Sequence, residues 1–400
     1  MTTASHHKPV IPDRLIRVTA VMCTLFAAYG IVLPYLGRWL EAERHLDGRE
    51  IGAVLSIAQL TRIMVGPLIA FWADGARDRR MPIRVLATGA VLSFAGFFFT
   101  AHDFPTLLAF GFLALTCSQA LSPFAEGAVL RAADDAKVSY GLARGTGSAA
   151  FIIANILGGF SIAWFGASAV LFWVMGAYGV VALTAWLGLK REPAPVETRA
   201  PPRERLSSAL ALVRRPRFVV LIVACGLIQS AHGFYYGFST LIWRAQGISA
   251  DTIGWLWGFG TGMEVVFLLS LPLIERRLAP EALILIGASG SALRWLIMGF
   301  APTGFILWPT QGLHALSFAA AHVGAMRLLF KETPPEHAGL GQTLYAALAS
   351  GLLLGLSTLV SGSLYDAIGV HGYWPMAGLA LIGGLLAASL LNKTPTPLAR

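Results

Sequence analysis

The stretch Thr252 to Leu273, TIGWLWGFGTGMEVVFLLSLPL, is an apolar run that holds one carboxylate, Glu264, near its centre. A run of about 20 such residues crosses the hydrocarbon core of a bilayer as a single helix. An ionisable group at that depth costs from about 2.5 kcal/mol upward, so it faces a water cavity, a pathway or a partner charge. The stretch therefore reads as a membrane span carrying a functional acid.

The rest of the chain is of the same kind. Hydrophobic residues make up 56% and charged residues 13%, where a soluble domain would carry about a quarter charged. Mean hydropathy is +0.66. Long apolar runs recur throughout, which selects helices over the short alternating segments of a barrel. The expected spans are 15 to 38, 51 to 73, 83 to 101, 105 to 131, 140 to 164, 168 to 189, 217 to 243, 251 to 273, 281 to 300, 304 to 330, 338 to 365 and 371 to 391. The expectation is an all-α polytopic membrane protein with 12 transmembrane helices. The first run lacks a small-residue cleavage site and reads as a retained helix. Cys23, Cys117 and Cys225 fall inside apolar runs and read as packing residues, not disulfides.

The net charge of +9 sits in short loops, as the positive-inside rule expects, and does not point to nucleic acid. With both termini cytoplasmic, 23 basic residues fall inside and 4 outside, and the remaining three of the 30 are Arg62, Arg144 and Arg294. The inside set runs from Lys8, Arg14 and Arg17 through Arg131 and Arg199 to Lys393 and Arg400. The proline-rich, charged segment KREPAPVETRAPPRERLSSALALVRRPR reads as a linker. It divides the chain into an N-terminal bundle at 1–190, a cytoplasmic linker at 191–216 and a C-terminal bundle at 217–400.

The halves look related. Tyr29-Gly30, Trp39 and Ile51-Gly52 recur as His232-Gly233, Trp243 and Ile253-Gly254, and Gly127-Ala128-Val129 echoes Gly324-Ala325-Met326. Such duplication marks secondary transporters with a midplane site between the repeats. Ten residues on from the paired glycines, a rise of about 15 Å, lie Arg62 and Glu264, at equivalent depth in the two halves. Arg294 and His314 come to the same depth by counting from their own helix ends. An acid, a guanidinium and an imidazole at one level suit a proton site, or else a permanently charged triad that only joins helices. Further buried polar candidates are Gln229, His232, Tyr235, Tyr236, Gln311 and His322, with Trp255 and Trp257 as aromatic lining. Either histidine of the tenth span could instead be a packed, hydrogen-bonded core residue. In the first half, Glu126 and Arg144 can pair with each other or with a substrate carboxylate, and Arg144 could also be an interfacial residue. Arg62 is too deep to snorkel and calls for an anion. Asp74, Arg77, Arg79 and Arg80 form either a cytoplasmic gating cluster or a solvated loop.

Twelve helices in two halves with a charged second loop resemble the major facilitator superfamily, although Asp74 to Arg80, DGARDRR, shifts the spacing of that superfamily's loop motif. The set Gln229 to Ser239, QSAHGFYYGFS, with Gly262-Met263-Glu264, Leu293-Arg294-Trp295, Leu313-His314 and Ala321-His322 resembles the phenylpropionate permease family of proton symporters over nearly the whole chain. Tyr140-Gly141-x-x-Arg144-x-x-Gly147 is similar to helix five of lactose permease-type symporters. There a glutamate on helix four and this arginine grip the sugar, and Glu126 and Arg144 match them. Those symporters carry an acid three residues after a helix-ten histidine, where this chain has Ser317 after His314 and Ala325 after His322. That leaves Glu264 as the candidate proton carrier.

The resemblance implies a proton-coupled symporter in the inner membrane that imports a small organic solute by alternating access, an aromatic carboxylate ahead of a sugar or nucleoside. Its proton-coupling residues would be Glu264, Arg294, His314 and His322. Its substrate residues would be Arg62, Glu126, Arg144, Gln229, His232, Tyr235 and Tyr236. The partners implied are a small-molecule substrate, protons and the lipid bilayer, for a monomer with no cofactor beyond the proton gradient. The alternative is a proton-antiporting exporter of hydrophobic compounds, whose helix five usually carries a glycine-proline motif where Phe151 to Phe160, FIIANILGGF, has none. A membrane-embedded receptor or enzyme is a more remote alternative, and no H-E-x-x-H metal spacing occurs.

Overall fold

The structure is a computed structural model that describes residues 12–100, 102–193 and 202–391. Lys8, Arg199, Lys393 and Arg400 of the basic count lie outside the described residues. Among the described residues there is no β-strand, only an isolated bridge between Asp78 and Pro193. The helices are α1 Asp13–Arg44, α2 Gly48–Asp74, α3 Arg80–Thr100, α4 Phe104–Asp135, α5 Tyr140–Phe165 and α6 Ala169–Gly188. A short linker helix, Pro202–Val213, precedes α7 Pro216–Ala245, α8 Ala250–Ile274, α9 Pro280–Met298 and α10 Gly304–Glu332. The stretch Ala338–Ala388 holds two expected spans, α11 at 338–368 and α12 Tyr373–Ala388, joined by the 3-10 turn Gly369–Gly372. Eleven long apolar segments among the described residues thus accommodate the twelve expected spans.

Three details depart from a hydropathy reading. The segment between the halves is not all spacer: Leu212 of the linker helix is buried against a cluster that includes Phe218 and Leu221. Continuous apolarity hides a break in α7, where the helix Pro216–Ser230 turns at Ala231 and His232 and restarts at Gly233–Ala245. Wide π-helical turns interrupt α10 at Ala315–Ala320 and α11 at Ala346–Leu353.

Helices of the two halves meet as α1 on α7, α2 on α11 and α5 on α8. Glycine sets the distance at each crossing. A Cβ on Gly37 would stand 2.8 Å from the Gly237 carbonyl, one on Gly52 3.1 Å from the Gly362 Cα, and one on Gly254 2.7 Å from the Asn155 carbonyl. The repeat positions do paired jobs, since Gly52 packs α2 on α11 while Gly254 packs α8 on α5, and Trp39 and Trp243 are both buried. Close approach through small residues replaces the hydrophobic drive that lipid does not supply. The Tyr35 hydroxyl donates to the Asn155 carbonyl at 2.7 Å. Asp366, at the end of α11, accepts from the amides of Gly48 and Arg49 at 2.8 and 3.0 Å, capping α2 from the opposite half. All these contacts lie at the end of the bundle where α1 finishes and α2 begins. Toward the other end a cavity of about 710 Å3 opens between α2, α4 and α11, with Arg62, Asp74, Gln119 and Thr343 in its wall.

That other end is tied within the first half by charge. Glu192, just beyond α6, lies 2.8 Å from Arg131, 3.0 Å from Arg14 and 3.7 Å from Arg79. Asp78 accepts from the Arg80 guanidinium at 2.6 Å and from the amides of Arg80 and Glu192 at 3.1 and 3.2 Å. Arg84 donates to the carbonyls of Ala185 and Trp186. The second loop is thereby fastened to the chain returning from α6, with Asp78 and Glu192 as its central acids. Asp74 lies at the end of α2, and Asp74 and Arg77 are exposed.

Two predictions follow from these ends. Asp366→Ala removes a cap worth about 1 kcal/mol, so it is expected to lower the melting temperature and to speed alkylation of a cysteine placed at Leu55, which packs beside Gly237. Unchanged alkylation would contradict a role in closing that end. Burial raises the carboxyls of Asp78 and Glu192, but hydrogen bonds outweigh it and hold both below the usual carboxylate range: from Arg80 and the Glu192 amide for Asp78, from Arg131 and Arg14 for Glu192. A carboxyl held low stabilises the fold above its unfolded value and loses that contribution as pH falls through the folded value. The melting-temperature gap between wild type and Glu192→Gln is therefore expected to stay flat from about pH 7 to 5 and to close below about pH 4. A gap that grows on acidification would contradict it.

Candidate functional site

Arg294 of α9 is completely buried, and neutral acceptors and ring faces meet its two terminal nitrogens while Nε finds no partner among the described residues. Its Nη1 donates to Nδ1 of His314 at 2.8 Å and to Oγ of Ser317 at 3.4 Å, and its Nη2 donates to Oε1 of Gln311 at 2.7 Å. The guanidinium carbon lies 4.4 Å from the ring centre of Tyr235 and 4.5 Å from that of Trp295, an arrangement in which the aromatic faces attract the cation. Gln311, His314 and Ser317 recur every third residue along α10, so all three reach one neighbour, and α10 widens to a π-helix directly after His314. Such wide turns are frequent at functional sites.

The hydrogen-bond directions fix the imidazoles. Arginine only donates, so Nδ1 of His314 accepts and its ring proton sits on Nε2. That atom lies 3.7 Å from Oε2 of Glu264. The result is a directed row, Arg294 to His314 to Glu264, in which the acid faces the imidazole at a distance longer than a hydrogen bond. Beside it, Nδ1 of His232 lies 3.2 Å from the Gln229 carbonyl and must donate to it. Its Nε2, 3.2 Å from Oγ of Ser317, accepts the serine proton. The break in α7 frees the turn at which His232 sits.

Aromatic rings enclose this row. Tyr235 packs on Trp257 with centroids 4.5 Å apart, and Tyr236 stacks on Trp257 at 6.3 Å. Trp255, expected in the same lining, is 46% exposed, because it stands two residues from Trp257 and points elsewhere on α8. Phe318 stacks between His314, at 5.3 Å, and His322, at 6.0 Å. His322 is exposed.

In the first half, Arg144 lies 3.5 Å from Glu126 and donates to Ser148, with its guanidinium carbon 4.2 Å from the Phe26 ring centre. Ser122 donates to Glu126 at 3.3 Å. Arg62 lines the cavity between α2, α4 and α11, and no carboxylate lies within ion-pair distance of it among the described residues. Equal depth in the two halves does not bring Arg62 to Glu264. Sequence reading missed the role of Ser317, which bridges Arg294 and His232 from the position where lactose permease-type symporters carry an acid. It also missed Trp295, Asn155 and Asp366, whose contacts all come from distant segments.

Residues 15–376 match the model of the MFS_1 like family. The chain is 31% identical over 363 residues to the probable 3-phenylpropionic acid transporter of Escherichia coli (strain K12), covering 90% of this chain and 93% of that protein. It is 26% identical over 386 residues to the maltose permease of Geobacillus stearothermophilus, covering 92% of each. Among solved structures, the nucleoside transporter NupG superposes with a TM-score of 0.80 at 16% identity, over 96% of this chain and 100% of that one. The D-xylose-proton symporter does so with a TM-score of 0.71 at 14% identity, over 93% and 96%. At such identity the two structures speak for the fold alone. With a family match over most of its length and a transporter relative above 30% identity, the chain belongs to the MFS_1 like family, within the major facilitator superfamily.

Proposed function

We propose that the protein imports a small aromatic carboxylate together with a proton, by alternating access between the halves 1–190 and 217–400 joined by the linker 191–216. The observation that carries the proton step is the row from Arg294 through His314 to Glu264. His314 holds its single proton toward Glu264 because Arg294 occupies its other nitrogen, so a second proton there would set two donors face to face. Glu264 has no guanidinium or ammonium within ion-pair distance among the described residues, and protonation is the step that discharges it. Glu264 is thus the carrier, His314 the donor that steadies its ionised form, and Arg294 the fixed charge that orients His314. His322, beyond Phe318, is the next titratable group toward the open end.

Support for the substrate class comes from the 31% identical relative and from the cavity wall. Arg62 in that wall has donors for a carboxylate, whereas the Arg144–Glu126 pair and the packed rings of Tyr235, Tyr236 and Trp257 lie outside its lining. Gln229 and His232 support the site from behind. The basic loops fall at the open end, which favours a cytoplasmic-facing state with both termini cytoplasmic in an inner membrane. The protein works as a monomer with the proton gradient as its only driving partner.

Replacing Glu264 with Gln is expected to abolish uphill uptake into proteoliposomes while leaving counterflow exchange of 3-phenylpropionate in place, and uphill uptake that persists would remove Glu264 as carrier. A charge-assisted hydrogen bond is worth roughly 1.5–3 kcal/mol. Arg62→Gln is therefore expected to raise KM for the carboxylate by roughly 10- to 100-fold with little change in maximal rate. An unaltered KM would place the carboxylate elsewhere.

A further inference from the structure

We propose that Gln119 of α4 is a substrate-binding residue, which together with Arg62 of α2 holds the head of an aromatic monocarboxylate whose ring lies toward the open end of the cavity. The inference rests on the carboxylate reading above and adds to it a second binding group and the direction in which the substrate lies.

Packing contacts fix the level of the cavity walls. Helices α2 and α4 both run from the closed end to the open one, and a Cβ on Gly111 of α4 would stand 3.1 Å from Cγ1 of Val54 of α2. Eight residues further along these helices come Gln119 and Arg62. The two therefore stand at one level, about 12 Å nearer the open end than the contact. On α11, which runs the opposite way, a Cβ on Gly351 would meet Cβ of Arg62 at 3.8 Å. Arg62 and Gln119 both line the cavity, and neither side chain has a hydrogen-bond or ion-pair partner among the described residues. A guanidinium and a primary amide side by side offer a carboxylate N–H donors from two helices.

Toward the open end the wall turns apolar. Pro67 lies about a turn beyond Arg62, Pro123 and Phe124 about a turn beyond Gln119, and Ala347 one turn from Gly351 on α11. Thr343 is also in this wall, but its hydroxyl donates to the Gly339 carbonyl at 2.8 Å, which uses its one proton. Thr116, one turn from Gln119 toward the closed end, has a buried hydroxyl without a partner among the described residues. Polar groups thus gather at the inner end. A ligand with its charge inward and its ring outward meets a suitable surface along its length. The reversed ligand would set its carboxylate among prolines, alanine and Phe124 and leave the donors of Arg62 and Gln119 unused. A sugar or nucleoside, with hydroxyls along its whole length, is served at the inner end only.

The test uses the full chain, with counterflow exchange of 3-phenylpropionate in proteoliposomes read as KM and maximal rate, and with melting temperature measured with and without this acid. Gln119→Leu removes the amide and is expected to raise KM roughly tenfold, the scale of one hydrogen bond to a charged group, with maximal rate nearly unchanged. Gln119→Glu has the same shape but sets an anion beside Arg62 and against the carboxylate, so it should raise KM further. It carries the test if Gln119→Leu does not fold. Because both side chains act on one carboxylate, the KM effects of Arg62→Gln and Gln119→Leu should fall short of multiplying in the double variant. An unchanged KM in the folded Gln119 variants, or a fall in maximal rate at constant KM, overturns this inference and leaves the role of Arg62 standing. Effects that multiply in full place the two residues on separate groups and overturn it as well. A wild type whose melting temperature rises with a sugar or nucleoside and not with 3-phenylpropionate overturns the carboxylate reading, and this inference with it.

Discussion

The buried guanidinium of Arg294 is the constraint to which the second half is built. A charge so placed needs acceptors for its donors, and hydrogen bonds to charged groups contribute roughly 1.5–3 kcal/mol each; here both terminal nitrogens are met and, among the described residues, Nε is not. Three side chains from one face of α10 supply the acceptors and two aromatic rings supply the faces. The requirement propagates outward. It fixes the proton of His314 on the nitrogen toward Glu264, turns Ser317 toward His232, and holds the broken turn of α7 against α10. A permanently charged residue thus imposes direction on neighbours that could otherwise adopt either tautomer.

The two ends of the molecule are held by different physics. Where α1 meets α2, backbones approach through glycine, and tight packing with a few hydrogen bonds does the holding. Where α2 meets α3, the first half is laced by Asp78 and Glu192 to several arginines. Close packing is sensitive to shape and is gained or lost together as surfaces part. The charge lattice lies within one half, so the alternating access proposed above would leave it intact. The division suits a machine in which two rigid bodies tilt on each other.

Depth along a helix was legible in the sequence, because a fixed rise per residue converts numbering into height. For that reason Glu264, Arg294 and His314 could be placed at one level before any contact was known. The direction in which a side chain points at that level was not legible. Arg62 shares the height of Glu264 yet faces the cavity beside α4 and α11, and Trp255 lies two residues from Trp257 yet turns away from the site. The repeat glycines were readable as pairs, but not that Gly52 meets α11 and Gly254 meets α5. The break at Ala231 and the π turns leave no trace in hydropathy, since the apolar run continues through them. Asp78 was hidden by its arginine-rich surroundings, and Glu192 becomes its partner only because the chain returns from α6.

The cap that Asp366 places on α2 has a bearing on the energetics of transport. Amides at a helix start have no partner within their own helix, so in the closed form they are served by a carboxylate from the opposite half. When the halves separate there, water takes over both amides and the carboxylate, and nothing polar is stranded. Each exchanged bond changes the balance by only about 1 kcal/mol. The cap therefore adds little to the cost of parting the two surfaces at that face, which is set by the loss of close packing between the helices.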